Sequence, residues 1–391
     1  MERVTGTYIE RVLDGARYRA FIPRPLPPEP SLIVTPDMYD LMERANRALG
    51  RLDGITALLP DAYLFTYFYI RKEAVLSSQI EGTQSSLSEL LLFESEQTPG
   101  IPLDDPRQVL NYVNAMYHGL TNIRADKGLP ISLRLMKEMH EILLRNVRGQ
   151  TEDPGNFRTV QNWIDGAHPQ EATYVGPPHD RMLDCLDALE KFLHGIPERT
   201  PVLIKAALAH VQFESIHPFR DGNGRLGRLL ITLLLCAEGA LSEPMLYLSL
   251  FFKTNRKEYY SRLQNVRENG DWESWVSFML RGVLETADQA VGAAKQILRV
   301  FNEDRERIET TGRKSSSMLR VHQFLQQKGV VTIRSMVNAL HLSEPTIGYV
   351  IKDMEHLGIV RELTGRRRYR VFAYDRYMKL LDEGTQPLPT V

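Results

Sequence analysis

The residues His217-Pro218-Phe219-Arg220-Asp221-Gly222-Asn223-Gly224-Arg225-Leu226-Gly227-Arg228 place one imidazole, one carboxylate, three glycines and three guanidinium groups in a single short stretch. Before it, Ala206 to Phe213 is apolar with helix-like spacing, and after it Leu229 to Ala237 is apolar again. The charges therefore meet at a turn between two core helices. Unpaired charges beside a core are costly, so the turn needs partners or a ligand. Gly222-Asn223-Gly224 permits a tight turn with exposed backbone N–H groups, and the helix that follows points its positive end into that turn. The combination reads as a phosphate cradle with a proton-transfer group beside it. A mononucleotide or other polyphosphate with a metal ion would balance the charges. The plainer alternative is a helix corner with His217 as an ordinary hydrogen-bonding residue. The crowding of Asp221, Arg225 and Arg228 weighs against it.

This stretch resembles the signature of the Fic (filamentation induced by cAMP) family, His-Pro-Phe-x-(Asp/Glu)-Gly-Asn-Gly-Arg-x-x-Arg, and every fixed position is met. A match of that length is far more specific than a lone glycine-rich motif. The resemblance implies transfer of AMP from ATP to a Ser, Thr or Tyr hydroxyl of a target protein. It makes His217 the general base and Asp221 the holder of Mg²⁺. The N–H groups of Gly222 and Gly224 and the side chain of Asn223 would cradle the phosphates. Arg225 would support the β-phosphate and Arg228 the γ-phosphate. Upstream, Ser77, Glu81 and Gly82 fit the family's inhibitory-helix pattern, (Ser/Thr)-x-x-x-Glu-(Gly/Asn), which pairs Glu81 with Arg228. Without the resemblance, Glu81 is an ordinary solvent-facing glutamate at a helix end. One carboxylate can replace a phosphate on the fork of an arginine.

Two strand-like pieces, Phe157 to Ile164 and Ala172-Thr173-Tyr174-Val175, suggest a hairpin. It is similar to the Fic flap, which holds a target segment by main-chain pairing. Tyr259 or Tyr260 is implied as the floor for adenine, with core packing as the plain alternative. Glu214 and Ser215 lie close enough in sequence to orient the loop, while His210 reads as a packing residue. Three rivals stand beside this reading. The same site removes AMP, with Glu81 positioning water; it transfers phosphate or phosphocholine, as some relatives do whose signatures depart from this one, so that the complete match favours AMP transfer; or the chain acts mainly as a DNA-binding regulator. A homodimer is a further expectation by analogy.

The 391 residues allow two or three domains. The expected fold is mainly α: a Fic-type helical core with a small β-hairpin flap, plus a C-terminal winged helix-turn-helix domain. The expected divisions are an N-terminal arm and inhibitory helical region at 1–105, a catalytic domain at 106–310 and the winged helix at 316–375. Residues 1–35 read as an extended, proline-stiffened arm with a strand at Tyr18 to Ile22. Thr310 to Ser317 is a linker by composition. Beyond it the pattern is three helices and a hairpin, with Arg366, Arg367 and Arg368 as a wing and Thr346 and Tyr349 on a recognition helix.

Overall charge is balanced, 48 basic against 49 acidic residues, which excludes a global pull toward nucleic acid or anionic membrane. Between Gly312 and Leu381, however, 13 Lys or Arg stand against 5 Asp or Glu. That local excess makes DNA a candidate partner of the last domain. Cys185 and Cys236 read as buried free thiols of a reducing compartment. The N-terminus opens no apolar leader, so the expected location is cytoplasmic.

Overall fold

The structure, a computed structural model, describes residues 3–58, 62–95, 104–125, 130–147, 152–366 and 368–388. Its centre is a helix pair, α7 (Val202–Ile216) and α8 (Asn223–Ala237). From Leu203 to Ile216 every α7 side chain is buried, so this helix has no polar face and must sit inside a ring of other helices. That ring includes α2 (Ala62–Ile80), α4 (Asp104–Arg124), α5 (Leu133–Leu143), α6 (His179–Leu193) and α10 (Arg256–Asn269). It also includes α11 (Trp272–Glu309), whose Trp275 donates its indole N–H to Ala207 O at 2.9 Å.

α1 (Pro36–Leu58) lies along α11, and α3 (Leu87–Ser95) follows α2. Ser86 and Glu89 form a reciprocal cap, with Ser86 N–H on Glu89 Oε2 and Glu89 N–H on Ser86 Oγ, so α3 starts at Leu87. α5 begins at Leu133, because Ser132 caps Leu135 N–H.

The N-terminal arm is a hairpin, β1 (Gly6–Leu13) with β2 (Ala16–Pro23), not a lone strand. Asp14 and Gly15 turn it with φ of 50° and 82°, the left-handed values a two-residue hairpin loop needs. The flap hairpin is present but short: β3 (Trp163–Ile164) pairs with β4 (Tyr174–Val175). Residues 157–162 are not strand, because Arg158 and Asn162 turn inward to hold the loop described below. Cys185 is buried and Cys236 half-buried, both free. Among the described residues no helix is long and apolar enough to cross a membrane.

α11 is 38 residues long, about 57 Å at 1.5 Å per residue. Its far end enters a C-terminal unit of α12 (Ser315–Lys328), β5 (Val330–Thr332), α13 (Ile333–Leu340), α14 (Glu344–His356), β6 (Val360–Glu362), β7 (Val371–Tyr374) and α15 (Asp375–Asp382). The sheet is antiparallel in the order β5-β7-β6. Thr332 caps α13 and Ser343 caps α14, which fixes the two helix starts. The expected linker is a tight corner instead: a 3-10 turn at Gly312–Lys314 leads straight into α12. Arg367 of the expected wing lies outside the described residues.

The corner is tight because Asp304 of α11 reaches into the C-terminal unit. It is fully buried and accepts from Tyr374 Oη at 2.9 Å, Arg307 Nη1 at 2.9 Å and Arg376 Nη1 at 3.3 Å. Removing it leaves the buried Tyr374 hydroxyl short of an acceptor, a loss of about 1–3 kcal/mol. Asp304→Ala should therefore lower the unfolding free energy measured by urea denaturation by that amount, and Asp304→Asn, which keeps an acceptor, by less.

Candidate functional site

α7 stops at His217, which takes the left-handed conformation (φ 49°) and sends its N–H back to Phe213 O at 2.9 Å. Gly222 (φ 78°) starts α8. Between them Asn223 closes the loop: its Oδ1 accepts Phe219 N–H at 2.9 Å and its Nδ2 donates to Phe219 O at 2.8 Å. Both ends of the Asn223 amide thus bond the loop backbone, and the second Nδ2 hydrogen is the donor left for a phosphate. Gly222 N–H is also engaged, by Asp221 Oδ1 at 2.7 Å. The first helical bond of α8 is Leu226 N–H to Gly222 O, which leaves the N–H groups of 223–225 without helical partners. These are the donors an anion would meet at the positive end of α8.

Several residues outside the motif brace this loop. Arg158 is 2% exposed, faces no carboxylate, and donates to four carbonyls: His217 O at 2.9 Å, Val160 O at 3.0 Å, Pro177 O at 2.5 Å and Ile216 O at 3.4 Å. Burial lowers its pKa to about 10, still charged at neutral pH. Asn162 Nδ2 adds bonds to His217 O at 3.1 Å and Phe219 O at 2.9 Å. His140 stacks on Phe219 with centroids 3.8 Å apart. Its Nδ1 accepts Gly155 N–H at 3.0 Å, so Nε2 carries the proton toward Asp221 O at 2.9 Å. Burial lowers His140 to about 4 and keeps that tautomer neutral.

The motif charges divide into free and committed groups. The Asp221 side chain is 46% exposed and touches Arg225 Nη2 at 3.4 Å. Arg225 is buried, contacts Gln108 Oε1 at 3.3 Å, and its Nε has no partner. Arg228 is buried and tied to α2: Nε to Ser77 Oγ at 2.9 Å, Nη2 to Ser77 O at 3.0 Å and Nη2 to Glu81 Oε1 at 2.6 Å. Ser77 and Glu81 thus both hydrogen-bond the Arg228 guanidinium. A Cβ added to Gly224 would collide with Glu81 Oε1, so the carboxylate lies directly over the turn. Burial opposes charge on Glu81, but the Arg228 charge and hydrogen bond outweigh it and hold the carboxyl below its usual range.

Glu73, one helical turn before Ser77, is buried and accepts Ser249 N–H at 3.0 Å. Burial pushes its pKa to about 7. Glu214 Oε2 lies 3.9 Å from His217 Nδ1, beyond hydrogen-bond reach, and Glu214 Oε1 has no hydrogen-bond partner among the described residues. Burial raises Glu214 to about 7, while burial with Arg267 and Arg158 lowers His217 to about 4. His217 is therefore neutral at physiological pH.

Tyr259 is buried and hydrogen-bonded to His210 Nε2 at 2.8 Å, whereas Tyr260 is 42% exposed with Arg256 5.3 Å from its ring centroid. In the flap, Tyr174 and Val175 are buried, with Tyr174 Oη on Ser215 O at 2.6 Å, while Thr173 is exposed and Ala172 half-buried. Arg158, His140, Asn162 and Glu73 escaped the sequence reading. Each has polar or charged neighbours in the sequence, so nothing local marks it as buried.

The site is thus an anion-receiving turn at a helix start beside a neutral imidazole, in a mainly helical fold. Comparison with known proteins agrees with that class. Residues 130–235 match the Fic/DOC family model, and residues 39–121 match the Fic/DOC family N-terminal model. The chain is 28% identical over 261 residues to protein adenylyltransferase Fic of Culex quinquefasciatus (66% of this chain, 48% of that protein). It is 26% identical over 262 residues to protein adenylyltransferase fic-1 of Caenorhabditis elegans (66% and 47%). The chain spans about half the length of these curated relatives. Among solved structures, a Fic family protein from Desulfovibrio desulfuricans G20 superposes with a TM-score of 0.57 at 20% identity (88% of this chain, 97% of that one). Fic-1 from C. elegans gives 0.52 at 23% (67% and 75%). These two likenesses concern the fold.

Arg158→Ala tests the brace. Losing a charged donor to several buried carbonyls should cost at least about 2 kcal/mol in urea unfolding.

Proposed function

We propose that this chain transfers AMP from ATP to a hydroxyl of a protein, and that Glu81 restrains the reaction by occupying Arg228. The observation that carries the reading is the juxtaposition of neutral His217 with unpartnered helix-start N–H groups and the Arg225–Arg228 pair. The relatives named protein adenylyltransferase support it. As the target oxygen attacks the α-phosphorus, the His217 imidazole takes its proton and pyrophosphate departs. Arg225 offers charge to the β-phosphate, and Arg228 to the γ-phosphate once Glu81 has moved. The N–H groups at the start of α8 hold phosphate oxygens in line, so positioning and electrostatics supply most of the catalysis. The Asp221 carboxylate suits Mg²⁺, which usually binds through one or two carboxylates with phosphate oxygens and water, and which would neutralise phosphate charge there. Tyr260, with its open ring, is our choice for the adenine floor. Ala172 and Thr173 are our choice for main-chain pairing with the target segment.

The C-terminal unit supports a second role. Helices α12–α14 and the antiparallel β6–β7 pair suit a winged helix, Tyr349 is 73% exposed on α14, and the local charge is basic. We assign it to DNA contact through α14 and the wing residues Arg366 and Arg368. A binding signal that does not weaken with salt would refute this.

The decisive experiment incubates the protein with ATP and Mg²⁺ and weighs it, and candidate targets, intact. A charge-assisted hydrogen bond of about 1.5–3 kcal/mol corresponds to about 10- to 150-fold in occupancy. Glu81→Gly should raise AMP incorporation by about tenfold or more, and His217→Ala should reduce it by about 10²–10⁴-fold. If Glu81→Gly instead abolishes removal of AMP from a modified protein, the reverse reaction is the main one.

The pH profile follows from His217. A base with its pKa at about 4 is deprotonated across the neutral range. Initial rates of the Glu81→Gly chain should hold level down to about pH 5.5 and fall only as pH approaches the lowered value. An ordinary imidazole would lose rate from about pH 6.5 downward.

A further inference from the structure

Glu81 sits just past the end of α2, in the corner that leads to α3. The corner is closed by Glu81 N–H on Ser78 O at 3.1 Å, Gly82 N–H on Gln79 O at 3.1 Å and Thr83 N–H on Ser78 O at 3.2 Å. One side of this corner meets the active-site turn. The other meets the far end of the chain.

Gln79 is the hinge pin. It is 1% exposed, and its Nε2 donates both to Ser85 O at 2.8 Å, across the corner, and to Thr385 O at 2.7 Å. A single amide therefore joins the residue two before Glu81, the residue four after it, and the tail beyond α15. Asp382 at the end of α15 adds a second tie: its carboxylate accepts Ser88 N–H at 3.2 Å and the Ser88 hydroxyl. Asp382 also shapes the tail, since its backbone carbonyl accepts Thr385 N–H and Thr385 Oγ1, both at 2.9 Å. Thr385 is 1% exposed. Lys253 holds the tail from below, donating to Gly384 O at 3.1 Å and to Gln386 O. Further back on α2, Phe68 packs edge-on against Tyr377 of α15 with centroids 5.3 Å apart.

α2 is therefore gripped along its length by the C-terminal unit while its other side presents Ser77 to Arg228. Glu81 cannot leave Arg228 by a backbone movement of its corner unless Gln79 gives up a bond to Ser85 or Thr385. Both alternatives leave a buried amide short of a partner, which is costly. The Arg228 guanidinium is 1% exposed and fixed, whereas the Glu81 side chain is 37% exposed, so the glutamate is the half of the pair that moves.

We propose that α15 and the tail Asp382–Gln386 form a latch that sets how readily Glu81 releases Arg228, so that the C-terminal unit is part of the restraint on the transferase site. The proposal rests on the reading of Glu81 given above. It assigns the C-terminal unit a duty within the chain that does not depend on DNA. Any event that draws α15 away from α2 and α3 frees the corner and raises nucleotide access to Arg228.

The test compares five full-length or near-full-length proteins: the parent, Glu81→Gly, Asp382→Asn, a chain ending at Gly384, and that shortened chain carrying Glu81→Gly. The readouts are AMP incorporation with ATP and Mg²⁺, ATP affinity by calorimetry, and hydrogen exchange of the 77–88 peptide. Asp382→Asn and the shortened chain should each raise incorporation and ATP affinity by about three- to tenfold, with faster exchange in 77–88. The shortened Glu81→Gly chain should gain nothing over Glu81→Gly alone, because latch and glutamate act on one gate. Parental incorporation, affinity and exchange in both latch variants, with a gain in Glu81→Gly, would overturn the latch and leave the Glu81 reading standing. So would a latch gain that multiplies with Glu81→Gly. No gain in Glu81→Gly would remove the Glu81 reading and the latch with it. Asp382→Asn preserves side-chain shape, so its melting temperature separates a released corner from a damaged fold.

Discussion

Arg228 carries a full charge with its side chain 1% exposed. A guanidinium in that position must be matched by acceptors, or the helix that bears it is destabilised by the desolvation of the charge. The match comes from one short segment. α2 supplies the Ser77 hydroxyl and carbonyl, and the turn that follows it supplies the Glu81 carboxylate. The packing of α2 against α8 and the electrostatics of the site are thus one problem with one solution. Ser77 is a permanent partner, whereas Glu81 occupies the direction that opens toward the turn. A ligand anion that takes that direction keeps Arg228 satisfied. On the proposed reading, one acceptor would replace the other without leaving the cation bare.

A second order of support lies beneath the turn. Main-chain carbonyls at the end of α7 point away from the ligand side and would be unpaired at a helix terminus. Arg158 and Asn162 collect them, and both come from the segment that leads into β3. The flap and the catalytic loop are therefore built on shared hydrogen bonds. A target strand lying on the flap would be registered against His217 through Arg158, not through an independent loop. His140 does the equivalent work under Asp221 and Phe219.

How much of this could be read from residue order varies with the range of the interaction. α7, α8 and the turn between them are legible because two apolar runs flank a motif of special backbone demands. The pairing of Glu81 with Arg228 came from resemblance, since 147 positions separate the two residues and nothing local joins them. Arg158 and His140 were invisible for a simpler reason. Each stands among other polar residues in the sequence, and only its tertiary partners make it a brace. β1 was overlooked although Asp14-Gly15 is a strong hairpin signal, because its residues alternate weakly between exposed and half-buried. α15 fell at the edge of a division drawn at residue 375, yet its apolar face, Tyr377, Met378 and Leu381, is buried against the rest of the chain.

Gly224 has a consequence of a different kind. Its backbone is outside the left-handed region, so conformation alone would tolerate alanine there. What excludes a side chain is the carboxylate of Glu81 pressed onto its Cα. A single added methyl would evict the glutamate and, in the same stroke, fill the space through which a phosphate reaches the start of α8. On the proposed reading, the restraining carboxylate and an incoming phosphate would compete for the same narrow space above Gly224.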